Sequence, residues 1–420
     1  MPLSRILTVF AFGLVVSAPV RADITLAGIT ETQGSGAIAG TAFRNGYQLA
    51  IDEINAAGGV LGQRLTMTQF DIDSTPAAAA DAAKSAVATK PFAILGPVFS
   101  GLTLATMPAT QSTGIPHFTG SEAASISRKY HPTIVRTSLS QQGSIPRLAA
   151  LATYGLAAKR IALLCADNEF GRDARPLLTE ELTRRGATLA FAGTVQPGQK
   201  DFDALVRQVQ EAQPDAVVLY LNEGEAATAL QALRNQAYRG LIIGEGPLVS
   251  AQVLAAAGSA AEGVIAHTGI SVELPSPRMR AFVADYTRRF GAKPEHNAVK
   301  GYFAVQVIKA GLLRLGKIDA AEFMGLIKNT RLEGRTHPDL MTSVRYDFFG
   351  HLNRDSYLVQ VRGGATEIMA TMSSLDTPFV ELANGKSWAL NSNELRRELA
   401  AAMARPAASA AAPPTRTASR

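Results

Sequence analysis

Between Phe92 and Ser125 the chain reads FAILGPVFSGLTLATMPATQSTGIPHFTGSEAAS, and this stretch limits the fold more than any other. FAILGPV is a short apolar run of the kind that forms a parallel strand buried on both faces. Ser100 and Gly101 follow, then a helical segment over 102–112. Serine is a preferred helix N-cap, and a helix start offers free N–H groups at the positive end of its dipole. Gly101 lets a ligand come close to the backbone. After Gly114, IPHFT predicts the next strand, and Gly120-Ser121-Glu122-Ala123 follow its carboxyl end. Two small-residue loops thus leave neighbouring strands on one side of a sheet, at the crevice where open α/β sheets bind ligands. The expected occupant is the anionic or carbonyl end of a small molecule. Two ordinary strand-to-helix turns are the alternative.

The chain has 420 residues, more than one ordinary core holds, so two domains are expected. An apolar content of 47% with 18% charged residues suits a globular protein with an ample interior. The first residues read as a secretory leader. Arg5 supplies the positive start, Ile6 to Val16 is an apolar run too short to span a bilayer, and small residues lead to cleavage after Ala22. The mature chain is then expected to begin at Asp23. An uncleaved membrane anchor is the alternative. The only cysteine, Cys165, stands far from the cleavage point, so neither a lipid anchor nor an internal disulfide is expected. It lies in RIALLCAD and reads as a small core residue. The formal net charge of +6 comes entirely from the leader arginines and the basic excess after residue 385. The body between them is neutral, which gives no electrostatic case for nucleic acid.

Taken in order, ITLAGIT (24–30) predicts the first strand, and Phe43, Tyr47, Ile51 and Ile54 mark one face of the following helix. RLTMTQFDI alternates like a strand, and 76–89 reads as an alanine-rich helix. Gly34, Gly36 and Gly40 after the first strand raise a dinucleotide-binding turn as a rival. Their spacing is wrong, and the acids at the next strand end, Asp71 and Asp73, come about 30 residues on rather than the roughly 20 of that fingerprint. The pattern restarts near Ser140. Strands are predicted at 160–167, ATLAFAGTV, 215–221, 241–246 and 263–271, with helices between. Three further helices (278–290, 298–315, 320–328) and a hairpin turning at Gly350 complete the body. Strands alternating with helices imply parallel sheets covered on both faces. The Ala/Pro/Ser-rich end, taken over 385–420, predicts a disordered tail.

INAAGGVLGQRL (54–65), DIDS (71–74), GPVFSGLTLA (96–105), the Gly114-Ile115-Pro116 entry to the Gly120–Ala123 loop, NEFGR (168–172), KDFDALV (200–206) and KGYFAVQVIKAGL (300–312) together resemble the leucine/isoleucine/valine-binding protein family, the type I periplasmic binding proteins of ABC transporters. The resemblance spans about 30–380. It implies an α/β fold of two Rossmann-like lobes joined by three crossovers around an interlobe ligand cleft. Lobe 1 would take 23–140 plus 271–350, and lobe 2 would take 141–270 plus 351–380. It also implies site residues. Ser100, with Gly101 beside it, corresponds to the position that holds a ligand carboxylate. The next loop offers Ser121 and Ala123, and Ala123 stands where amino-acid binders usually have a threonine that helps hold the ammonium. Phe170 corresponds to the aromatic of the second lobe, Asn222 to a second aromatic position, and Glu245 to the acid that pairs with the amine. Asn297 stands where branched-chain binders place an aromatic. These departures point away from leucine and toward a small carboxylate, an amide or another polar, amino-acid-like metabolite.

The six histidines show no metal-ligand spacing, and no H-E-x-x-H, C-x-x-C or phosphate-binding loop occurs. No nucleophile, base and oxyanion set assembles, so neither catalysis nor a cofactor is expected. The expected function is capture of a small-molecule ligand by lobe closure and delivery to ABC transporter permease subunits in the inner membrane. A ligand sensor that passes occupancy to a receptor is the alternative, and a secreted α/β enzyme stands further off.

Overall fold

A computed structural model describes residues 22–374, 379–389 and 391–404. Five strands come first: β1 (Ile24–Glu31), β2 (Leu65–Ile72), β3 (Ala93–Leu95), β4 (His117–Thr119) and β5 (Ile134–Arg136). They form one parallel sheet in the order β2-β1-β3-β4-β5. Its helices are α1 (Ala37–Ala56), α2 (Pro76–Ala88), α3 (Ser100–Thr110) and the short α4 (Ala124–Arg128). On one face α1 packs through Phe43, Tyr47, Ile51 and Ile54 against residues from much later in the chain, in one continuous core. On the other face α2 and α3 cover Ala27, Ile29 and Ile94 with small side chains.

The chain then crosses to α5 (Gln141–Ala150) and a second sheet. Its parallel part is β6 (Arg160–Ala166), β7 (Thr188–Val195), β8 (Ala216–Tyr220), β9 (Leu241–Glu245) and β10 (Ile265–Thr268). The helices between are α6 (Glu169–Arg184), α7 (Asp203–Glu211), α8 (Glu223–Asn235) and α9 (Ala251–Ala257). After β10 the chain returns to the first core with α10 (Pro277–Phe290), α11 (His296–Leu315) and α12 (Ala320–Ile327). A small three-stranded sheet of β11 (Arg331–Leu332), β12 (Val344–Tyr346) and β13 (Leu352–Asn353) follows, and Gly350 turns its hairpin in the left-handed region at φ 76°. The chain crosses once more to β14 (Ser356–Arg362), which joins β10 antiparallel, and continues through β15 (Ala365–Met372), β16 (Phe379–Leu382) and β17 (Ser387–Ala389). This is the α/β architecture of two Rossmann-like lobes joined by three crossovers.

Local chemistry fixes where the helices begin. Thr75 caps α2 with Pro76 in its first turn, Asn168 caps α6, Ser276 caps α10 and Glu295 caps α11, each accepting a backbone N–H. The helix expected from 298 therefore begins at His296, and His296 and Asn297 form its first turn.

The end of the chain differs from expectation. The segment from 385, read as a disordered tail, folds onto the second sheet as far as residue 404. β17 pairs with β16, and α13 (Asn393–Met403), capped by Ser392, buries Leu395 and Leu399 in the second-sheet core. Two leucines one helical turn apart are enough to anchor an otherwise alanine-rich segment. The remainder of the tail lies outside the described residues, as does the leader apart from Ala22. Among the described residues no helix is long and apolar enough to cross a membrane. Cys165 sits in the second core, where burial pushes its thiol up to about 12.

Candidate functional site

The carboxyl ends of the two parallel sheets face each other across a cavity of about 200 Å³. That is below the range of pockets for drug-sized molecules and suits a small metabolite. The first turns of α3, α6, α8 and α11 all line it, through Ser100 and Gly101, Glu169 and Phe170, Glu223, and His296 and Asn297. Helix starts aimed at one point favour negative charge there.

The first-sheet wall is built mostly from backbone. α3 has no side-chain cap; the Phe99 carbonyl accepts from Leu102 and Thr103, and the N–H groups of Ser100 and Gly101 begin the helix. Ser100 Oγ accepts the Ala123 N–H at 3.2 Å, which leaves its hydroxyl proton to be donated into the cavity. A hydroxyl bond to a charged group contributes about 1.5–3 kcal/mol, against about 0.3–1 kcal/mol for the dipole of an exposed helix end. The hydroxyl is therefore the stronger anchor. Glu31, at the end of β1, accepts the Val98 and Phe99 N–H groups at 3.0 and 2.6 Å and holds the loop that enters α3. It is fully buried; burial pushes its carboxyl up to about 7, against the lowering effect of those N–H bonds.

The facing lining, on the second sheet and at the start of α11 of the first core, is built from side chains. The Phe170 ring stacks on Tyr220 at 4.3 Å between centroids, and the residue lines the cavity. Asn222 Oδ1 accepts from Asn168 Nδ2 at 2.7 Å. Asn297 Nδ2 donates to Glu223 Oε1 at 3.1 Å and so ties α11 to α8. Elsewhere along the seam Asp173, on α6, accepts the Ser125 N–H at 2.6 Å and pairs with Arg128 at 2.7 Å. A Cβ on Gly101 would meet Glu169 Oε2 at 2.5 Å, so glycine lets the starts of α3 and α6 face each other closely.

Of the residues expected at the ligand, Ser100, Gly101, Phe170, Asn222 and Asn297 line this cavity together. Ser121, Ala123 and Glu245 do not. Ser121 is turned inward, where its Oγ donates to the Val98 carbonyl at 2.7 Å and meets Thr103 Oγ1. Ala123 packs against Met107, Ile126 and Ile134. In extended backbone alternate side chains point to opposite sides, and here Gly120 and Glu122 take the cavity side. The fully buried Arg136 sets that phase by donating to the carbonyls of Ser121 and Ala123, both at 2.8 Å. Glu245 lies opposite His267 in the β9–β10 register and pairs with its Nδ1 at 2.9 Å. It borders a small adjoining cavity behind Lys300, and burial raises its carboxyl.

Other lining groups were not found from sequence. Glu122 pairs with Lys300 at 2.8 Å, both half-buried or better, across 178 positions of chain. Glu223 and His296 also face the cavity. Burial raises the Glu223 carboxyl, with His296 opposing. Burial acts to raise Glu295, but the adjoining His296, 2.6 Å away, together with the Asn297 N–H and Lys300, holds that carboxylate low. No local motif marks these residues; the one sequence sign is an acid in the first turn of a helix, at Glu223.

Comparison with known proteins agrees with this fold. The family model described as periplasmic binding protein matches residues 23–366. The Leu/Ile/Val-binding protein BraC3 of Rhizobium johnstonii is 26% identical over 358 residues, which cover 85% of this chain and 96% of that protein. Among solved structures, a leucine-binding protein of Thermotoga maritima superposes with a TM-score of 0.74 at 22% identity, covering 84% of this chain and 99% of that one. A solute-binding protein of an R. palustris ABC transporter, in complex with benzoate, superposes with a TM-score of 0.75 at 20% identity, covering 84% and 97%. The Streptococcus pneumoniae branched-chain amino acid binder LivJ, in complex with isoleucine, gives 0.75 at 21% identity, covering 84% and 99%. With a family match that runs through both sheets and every strand end bordering the cavity, the chain belongs to the periplasmic binding protein family.

Proposed function

We propose that this protein captures a small polar solute bearing a carboxylate, amide or similar acceptor group, by closing its two lobes on it, and delivers it to the permease of an ABC importer. The Ser100 hydroxyl carries this reading: it is buried, fixed by Ala123, and points with the α3 backbone amides into a cavity closed from the other side by Phe170. The relatives are binding proteins, and the cavity brings together no nucleophile with a base and an oxyanion site, which supports binding without turnover. Lobe 1 is assigned to 23–140 and 271–350, and lobe 2 to 141–270 and 351–404. The site residues are Ser100, Gly101, Phe170, Asn222 and Asn297, joined by Glu122. Export through a cleaved leader, without lipid attachment, places the protein in the periplasm on this reading. The Glu122–Lys300 pair and the polar Asn222 and Asn297 favour a polar solute over a branched aliphatic one.

A thermal-shift screen of the purified protein against amino acids, amides, and aliphatic and aromatic acids tests the proposal. A solute at about 100 times its dissociation constant stabilises by about 2.7 kcal/mol. At least one such solute is expected, and its effect should shrink in Ser100→Ala. A hit that stabilises both proteins equally removes Ser100 from the site, and product formation from the hit would favour an enzyme.

A further inference from the structure

We propose that Glu223, Glu295 and His296 form a binding site for one divalent transition-metal ion at the seam between the lobes. Among the described residues these three alone offer ligand atoms, one from each side chain, that lie within 4.8 Å of one another. All three are buried. Two carboxylates and an imidazole make a nitrogen–oxygen donor set suited to ions such as Zn²⁺ or Mn²⁺.

The local bonding leaves room for an ion. Glu295 Oε2 already serves Asn297 N–H at 3.0 Å and His296 Nδ1 at 2.6 Å, while Oε1 is buried with no hydrogen-bond partner. Asn297 presents a second such atom. Its Nδ2 is bound to Glu223, its Oδ1 has no donor, and the residue is 1% exposed on the cavity wall. Buried acceptors without donors are rare and costly, and a cation satisfies several of them together. The nearby Lys300 ammonium is engaged by Glu122, so it does not serve this purpose.

The placement gives the ion a role. Glu223 opens α8 on the second sheet, whereas Glu295 and His296 open α11 on the first core. One ion therefore joins the two lobes, with its remaining positions facing the solute cavity. The site stands on its own residues and needs no particular solute.

The test is calorimetric titration of chelator-treated, solute-free protein with ZnCl₂ and MnCl₂, with MgCl₂ as contrast, in parallel with Glu223→Gln. About one equivalent of Zn²⁺ or Mn²⁺ is expected to bind to wild type, Mg²⁺ should not match it, and Glu223→Gln should weaken binding about 10-fold or more. If Glu223→Gln does not fold, His296→Gln takes its place. Absence of binding to wild type overturns the proposal. Equal binding by wild type and variant, as from scattered surface histidines, overturns it too.

Discussion

The two walls of the cleft are made differently. On the first-sheet side the start of α3 offers the cavity backbone amides and one hydroxyl, and the loops there are held by buried partners: Glu31 on Val98 and Phe99, Arg136 on the carbonyls of Ser121 and Ala123. Facing it, a ring, amides and carboxylates project from the starts of α6 and α8 on the second sheet and from the start of α11, which belongs to the first core. The start of α3 offers main-chain groups that every side chain leaves in place, whereas the facing groups are side chains whose chemistry a substitution changes.

The largest expected effect tests whether the second wall is merely lining. Phe170 is buried and stacked on Tyr220, so Phe170→Ala should cost about 3–5 kcal/mol of stability, read by denaturant unfolding. Phe170→Leu should keep most of that stability yet lose solute affinity. Retained affinity in the leucine variant would mean the ring serves only the core.

Next comes the support beneath the first wall. In the folded chain the Glu31 carboxyl is pushed up to about 7, from an ordinary value of 4.5, chiefly by burial. Below the lower value both folded and unfolded chains hold the proton, and this contribution to stability is complete. As pH rises the unfolded chain releases the proton first, so stability falls until the folded carboxyl also ionises, by about 3 kcal/mol in all. Unfolding free energies measured from pH 4 to 8 should show this decline from Glu31, and Glu31→Gln should flatten it. An unchanged slope in the variant would show that another group sets it.

How legible these walls were follows from how each is made. The first announced itself locally. FAILGPV, Ser100-Gly101 and the loop after Gly114 carry strand, turn and helix signals in one short span. The phase of that loop is not legible. Alternation predicts that every second side chain faces the cavity but not which set, and the anchor, Arg136, is visible only in three dimensions. Glu245 failed for a related reason: its partner, His267, lies on the neighbouring strand, and pairing register does not show in a single segment. The charged part of the lining is least legible. Glu122 with Lys300, and Glu223 with Asn297, join positions far apart in the chain, and each residue taken alone reads as a solvated charge or amide. The helix at the end was missed because alanine-rich composition outweighed Leu395 and Leu399.

Smaller effects sharpen the contrast. Ser100→Ala should weaken solute binding by about 1–3 kcal/mol, measured calorimetrically, with little change in unfolding, because the wall around it is braced by other bonds. Asp173→Asn removes the charge that pairs with the half-exposed Arg128 across the seam, while its amide oxygen can still accept from Ser125. The expected loss is under about 1 kcal/mol and appears as a more open solute-free particle in small-angle scattering. A large loss would place the closing force in this clamp and not in the solute.

Crystallising the protein with the solute that stabilises it most gives the most direct test of the central claim. The account requires electron density between the sheets, with an acceptor atom of the solute within hydrogen-bonding distance of Ser100 Oγ and the Gly101 N–H, and with Phe170 in contact on the far side. Density instead in the separate cavity of about 440 Å³ beside Ser250 and Glu273, with the space before Ser100 filled only by water, would contradict it.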